Sequence, residues 1–432
     1  MNKARYNAAV IEKLVDPIKI PPMLKIRQHF PRPVVKDVVR AVREELNRPE
    51  IIATIKPGMK VALTGGSRGV ANIAVIIREV ASFLKAHGAE PFIIPAMGSH
   101  GGATAAGQVE VLASYGITEE NCGCPIRATM DTVKIGYTAE GMPVYIDRYA
   151  YEADGIIPIN RVKPHSAFRG KYESGLIKML AIGMGKQRGA DSLHEAGFKD
   201  FAVRLPQFAE VIIEKTNVMF GVATVENAYD ETALVRVIET KDLWSKEPEL
   251  LQYAFDNIPR ILLPETDVLV VQEIGKNFSG SGMDPNVTGT WNTPYGSGGI
   301  KSQKVVVLDL SAESHGNAIG AGSADIGTVR LYDKIDFAAT YPNALTSTVI
   351  RPAKVPMIMP NDKLAIKAAI KTCNGIDKER PRVVLIKNTM SLDEIYVSEA
   401  FREEIKGNDS IEILEERVEM SFDENGNLLS LF

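Results

Sequence analysis

The sequence predicts an α/β protein, built as two α/β domains with mainly parallel sheets and an active site expected in the cleft between them. Three observations carry that prediction. Short apolar runs ending in glycine loops alternate with segments of helical periodicity, the pattern of a parallel sheet with helices on its faces. The chain is 432 residues long, more than one ordinary core accommodates. The strand-loop series also breaks at the prolines near 259–264 and then starts again. An N-terminal cofactor-binding and catalytic domain is therefore expected over 1–262, and a C-terminal domain over 263–432.

The elements follow in order. KVALTGGSRG (60–69) reads as a buried strand running into a glycine turn, and 70–89 has helical spacing with Gly88 as its stop. EPFIIPAMGSHGGAT (90–104) is again strand then glycine loop, followed by a helical AAGQVEVLASYGI. In 151–166 a short apolar strand delivers Arg161, Lys163 and His165 into a loop. Loops beyond the carboxyl ends of parallel strands gather where ligands bind, so those carrying Arg68, His100 and His165 are expected to meet. The stretch 211–240 reads as two strands with a turn, and 242–264 as a helix that breaks at prolines. Beyond it, TDVLVVQEIG, KVVVLDLS and RPRVVLIKNT are strands, DKLAIKAAIKTC is a helix, and Asn425-Gly426 marks a closing hairpin.

Composition excludes several classes. Fifty basic residues against fifty-four acidic leave a net charge of -4, which gives no electrostatic reason for a nucleic-acid or anionic-lipid partner. Three cysteines make no disulfide framework, and Cys122-Gly-Cys124 is too tight for half a zinc ribbon. The N-terminus carries Glu12, Lys13 and Asp16 where a signal peptide needs an apolar run, and no window reaches the roughly 20 apolar residues of a membrane span. A cytoplasmic protein is expected.

Candidate chemistry concentrates in three places. GGSRG (65–69) puts backbone N–H groups, Ser67 and Arg68 between a strand and a helix, suited to a phosphate or carboxylate; a tight turn with a surface arginine explains it equally. The motif has neither the dinucleotide spacing nor a P-loop lysine. In MGSHGGAT (97–104) the flanking glycines leave room for a ligand to approach His100, with a helix-capping histidine as the plainer alternative. The third place holds His165, Ser174-Gly175, Lys178 and His194, with glycines at 183, 185 and 189 between the last two. Neutral imidazoles accept protons and bind borderline metals, and a desolvated lysine is a nucleophile. His194 also reads as a solvent-facing helix residue. His29 and His87 read as structural or exposed, and His315 sits in a polar glycine-rich loop that is ambiguous.

In order and spacing these pieces resemble the lactate racemase family, the enzymes of the nickel-pincer nucleotide. The resemblance rests on the glycine loop with Arg68, on GSHGG with His100, on His165, on SGLIK ending in Lys178, and on His194 sixteen residues later. It implies a nickel-pincer nucleotide (a pyridinium-3,5-bisthiocarboxylic acid mononucleotide carrying nickel) bonded through Lys178, with His194 as nickel ligand and Ser67 and Ser174 among the cofactor-binding residues. It further implies His100 and His165 as an acid/base pair and Arg68 as the holder of the substrate carboxylate. The implied activity is racemase or epimerase chemistry on a small α-hydroxy acid by hydride removal and return, supported by cofactor-synthesis enzymes. Gly65 stands where better-known relatives carry an acid, and His165 and Lys178 lie farther apart than usual, so FRGKYE (168–173) looks like an insertion. MDPNVTGTWN (283–292) also lacks the tyrosine, glutamine and lysine of lactate-active relatives, and Arg169 and Lys171 read either as partners for a second carboxylate or a polar sugar acid or as plain surface charges. Two alternatives stand beside this reading: a zinc hydrolase or lyase built on His100, His165 and His194, and a non-catalytic nucleotide-cofactor-binding protein.

Overall fold

A computed structural model describes residues 8–195, 197–429 and 431–432. The chain divides into two compact units, one of residues 31–258 and one that joins 1–30 to 259–432. The boundary near 260 agrees with the prolines, but the first thirty residues do not belong with the domain expected over 1–262. The reason is strand pairing: Met23–Gln28 lies between Glu394–Ser398 and Ile411–Val418, antiparallel to both.

The unit containing 259–432 is organised on an eight-stranded sheet that is mainly parallel. Glu265–Ile274 sits near its middle, parallel to Lys301–Leu310 on one side and to Val383–Ile386 on the other. Val268, Val270, Val306, Leu308 and Leu385 are fully buried under the helix Asp362–Thr372, whose Ala365, Ile366 and Ala369 face them. The expected closing hairpin is reduced to a turn at Asp423–Asn427 and a single bridge, Phe422 to Leu428. The strand before that turn, Ile411–Val418, pairs instead with the N-terminal strand. His315 lies exposed in this unit with φ 46.

In the other unit, Lys60–Gly65 is the central strand, parallel to Glu90–Pro95 and to Gly155–Ile157. Their apolar residues are buried against the helix Ile73–Ala86, as continuous Val/Ile/Leu runs require of a parallel sheet covered on both faces. A second small sheet joins Ile159–Arg161 in parallel to Phe220–Glu226, which pairs antiparallel with Thr232–Glu239. The buried Thr64 hydroxyl accepts Ile159 N at 2.8 Å and links the two sheets at the edge where the loops leave. The expectation of strand throughout 211–240 holds only from Phe220, because the helix Phe201–Lys215 takes the earlier residues. The hairpin Thr132–Tyr137/Pro143–Asp147 has no counterpart in the sequence reading. Among the described residues no helix is long and apolar enough to cross a membrane.

Candidate functional site

Every residue singled out for chemistry lies in the unit 31–258. Three loops leave the carboxyl edge of its strands: 66–72 after Lys60–Gly65, 96–104 after Glu90–Pro95, and 162–175 after Ile159–Arg161. The last runs into the helical turn Leu176–Lys178, a π-helical stretch Met179–Gly183 and the helix Lys186–His194. Widened helical turns of this kind recur at functional sites because they redirect side chains. Asn160 Nδ2 donates to Gly175 O at 2.9 Å, and a Cβ on Gly66 would lie 3.4 Å from Met179 Cε, so the first and third loops abut. The second is bound to the helical segment by Gly98 N donating to Gly183 O at 3.2 Å.

Arg68, His100, His165, Lys178 and His194 are all half-buried. Protein surrounds them while part of each stays accessible. Lys178 falls to about 7, first through burial, then through the nearby Arg68 and Lys163, with Glu173 opposing. His165 is driven well below its ordinary value by burial and then by Lys178, His194, Lys163 and Arg169. His194 is lowered by burial and by Lys178, against a bond to Ala190 O. The Arg68 guanidinium is lowered by burial, with Arg161 adding to the effect. Groups that perturb one another in this way lie within electrostatic reach, so Arg68, His165 and His194 each lie near Lys178.

That site is electropositive. Arg68 pairs with no carboxylate among the described residues, its Nη1 donating only to Ser67 O at 3.2 Å. Arg161 is held by the buried Glu226, whose other oxygen accepts Ala71 N at 2.7 Å. The loops thus gather cations, while Glu226 and Glu173 are engaged by the chain's own N–H and guanidinium groups.

His194 closes its helix with Nδ1 donating to Ala190 O at 2.7 Å, its ring packed against Phe198 and Phe201. The solvent-facing alternative fails on that packing. The backbone bond leaves Nε2 with its lone pair, as a metal-binding imidazole requires. His100 Nδ1 likewise donates to Met97 O at 2.7 Å. The capping alternative for His100 is also displaced, since Thr104 Oγ1 caps the next helix by accepting Gly107 N at 3.1 Å. The glycines around His100 serve the backbone as well as clearance. Gly101 has φ 65, and a Cβ there would sit 2.6 Å from Gly107 C. Ser67 lends its carbonyl to Arg68, and the Ser174 carbonyl accepts Lys163 N at 2.9 Å.

Arg169 is not offered to a ligand carboxylate. Its Nη1 donates to His165 O at 3.0 Å and to Glu173 Oε2 at 3.1 Å, and its guanidinium stacks on Phe255. Lys171 is exposed, with its amine over Tyr172. The missing acid at 65 also has a packing reason, because a Cβ there would lie 2.7 Å from Leu112 Cδ2.

Three residues that sequence reasoning passed over organise the site. Buried Glu173 accepts His165 N at 2.7 Å and Gly170 N at 3.0 Å. Buried Glu247 accepts Leu176 N at 2.7 Å and Ile177 N at 3.0 Å, satisfying the open end of the Lys178 turn. A Cβ on Gly175 would sit 2.7 Å from that carboxylate, which explains the glycine of SGLIK. Lys186 is fully buried, paired with Asp147 at 2.9 Å and donating to Pro95 O and to Gln108 Oε1. Gln108 Nε2 in turn donates to Gly98 O at 2.9 Å and His100 O at 3.2 Å, tying the His100 loop to the His194 helix. Only Lys186, set between glycines, carried a signal in the sequence. The two glutamates look like surface charges there.

Among the described residues no group of three or more His, Cys, Asp or Glu is arranged to hold a metal ion. The three histidines therefore do not form the ready-made set that a protein-only zinc centre uses. What the chain supplies includes the His194 imidazole with its Nε2 lone pair, the Lys178 amine able to lose its proton near neutrality, and a cationic surround. This donor set fits a metal brought in by an anionic organic cofactor that provides most of the ligands itself.

Residues 6–202 match the lactate racemase N-terminal domain family. Among solved structures the chain is similar to the lactate racemase apoprotein of Thermoanaerobacterium thermosaccharolyticum, at 12% identity and a TM-score of 0.51, over 86% of this chain and 99% of that one. At that identity the likeness speaks for the fold. No curated protein matches the chain.

Proposed function

We propose that this protein is an isomerase inverting the α-carbon of a small α-hydroxy acid with a nickel-pincer nucleotide, a reading supported by the match of residues 6–202 to the lactate racemase N-terminal domain family and by the similarity of fold to a lactate racemase apoprotein. The observation that carries the reading is Lys178, an amine lowered to about 7 and flanked by two imidazoles held neutral. His165 is one of the two acid/base histidines of this reading and His194 the metal-binding one; a carrier protein has no use for the former.

Lys178 would hold the cofactor covalently, because its free amine is available near neutral pH. His194 Nε2 would take the nickel, with Nδ1 fixed on Ala190 O. When bound, the cofactor would supply a hydride acceptor and donor. Arg68 would grip the carboxylate, and its desolvation strengthens that contact. His100 and His165 would hold and release the hydroxyl proton, which must leave as the carbon loses hydride. The α-proton itself is a poor target, being scarcely acidic beside a carboxylate.

The test is a screen of α-hydroxy acids of different chain lengths with cofactor-loaded protein, using substrate deuterated at carbon two. The expected result is inversion with the label retained. Inversion with the label washed into solvent would replace hydride movement by proton abstraction, and turnover with zinc alone would favour a hydrolase or lyase.

A further inference from the structure

Resting on that reading, we propose that Phe168 is a positioning residue: through Phe198 and Phe201 it joins the acid/base imidazole of His165 to the metal-binding imidazole of His194, so that the two rings hold one mutual angle. The contacts form a continuous chain of rings. His165 lies 4.6 Å from Phe168, centroid to centroid, and Phe168 lies 5.0 Å from Phe201 and 6.4 Å from Phe198. Phe198 and Phe201 stack at 4.7 Å, and His194 packs on them at 5.8 and 5.4 Å. These separations are those of interacting aromatic pairs. All three phenylalanines are buried, so none turns without displacing a neighbour, as in any close-packed interior.

The segment FRGKYE (168–173), which widens the spacing between His165 and Lys178, is built to deliver this ring. Glu173 Oε1 accepts Gly170 N at 3.0 Å and folds the segment into a turn. A Cβ on Gly170 would lie 2.8 Å from Ala202 Cβ and 3.4 Å from Phe168 Cε2, so the turn seats directly on the helix that begins with Phe201. Tyr172 Oη donates to Trp244 O at 2.7 Å and pins the other end of the segment.

The acid/base ring and the metal-binding ring serve adjacent atoms of one substrate, its hydroxyl oxygen and its α-carbon. Their mutual placement therefore sets how often both are aligned at once. Backbone bonds fix each residue separately: Glu173 Oε2 accepts His165 N at 2.7 Å, and His194 Nδ1 donates to Ala190 O at 2.7 Å. The phenylalanines fix one ring against the other. Shortening Phe168 should slow turnover and leave the carboxylate grip of Arg68 as it is.

Proton–carbon correlation spectra of the full chain without cofactor, its histidine rings labelled with carbon-13, test this near neutral pH. Signals are assigned by their loss in His87→Gln, His165→Gln and His194→Gln. Phe168→Leu removes the ring that His165 touches, so a change at His165 is expected on any account. The informative signal is His194, which should shift or broaden while His87, packed on Phe83, stays unmoved. The reciprocal Phe198→Leu should shift or broaden His165. An unmoved His194 in the first variant, or an unmoved His165 in the second, overturns the proposal. Movement of His87 along with them also overturns it, because that marks a general loosening of the fold. In cofactor-loaded protein, Phe168→Leu should lower kcat per bound nickel by on the order of ten- to a hundredfold at nearly constant KM. An unchanged kcat removes Phe168 from its positioning role. Absence of racemisation in the wild type would defeat the functional reading and leave these spectra as they are.

Discussion

Replacing Glu247 by glutamine tests how the Lys178 turn is held. The carboxyl rises from 4.5 to about 7 because burial outweighs the N–H bonds from Ile177 and Leu176. Folding therefore tightens its hold on the proton. The resulting stability is complete below pH 4.5 and is lost as the pH climbs through about 7. At about 1.4 kcal/mol per pKa unit, the whole loss is on the order of 3 kcal/mol. Glutamine accepts the same two N–H bonds, has no proton to lose, and carries donors where Oε1 now lies buried without a partner. Urea unfolding of both proteins should show wild type losing about 3 kcal/mol relative to Glu247→Gln between pH 4.5 and a pH two units above the folded value. For a unit of this size that is a relative melting shift of roughly 6–12 °C. Other titrating groups are common to both chains and cancel. Parallel pH profiles for the two proteins would refute the buried, proton-holding carboxyl.

Three further outcomes follow from the same contacts. Lys178, lowered to about 7, should be acylated ahead of the exposed lysines near neutral pH, with peptide mapping as readout; at pH 7 its free-amine fraction is on the order of a thousandfold larger. Gly175→Ala drives a Cβ to 2.7 Å from the Glu247 carboxylate and should cost about 1–3 kcal/mol in denaturant unfolding, a cost relieved in Gly175→Ala/Glu247→Ala. Lys186→Met leaves Asp147 buried without its cation and should destabilise by about 3–5 kcal/mol, with Lys186→Met/Asp147→Leu recovering much of the loss.

Much of the fold was legible because its signals are local. Apolar runs such as VALTG and FIIPA end in glycine loops, and each became a parallel strand with its loop at the ligand edge. The order of Arg68, His100, His165, Lys178 and His194 was likewise readable, since each lies just past a strand or on one helical segment. What stayed hidden depends on pairing between distant segments. Met23–Gln28 reads as an ordinary short strand, and only its partners near 394 and 411 assign it to the other unit. Glu173 and Glu247 look like solvated charges until the fold lays backbone N–H groups against them. Arg169 was offered to a substrate because sequence cannot show a guanidinium folded back onto its own loop.

The most direct measurement of the central claim is combined metal analysis and intact-mass spectrometry of the chain, produced together with cofactor-synthesis enzymes, as wild type, Lys178→Ala and His194→Ala. The account predicts stoichiometric nickel and a nucleotide adduct mapped to Lys178 in wild type, no adduct in Lys178→Ala, and an adduct with depleted nickel in His194→Ala. Wild-type protein holding only zinc, or an adduct that survives Lys178→Ala, would contradict it.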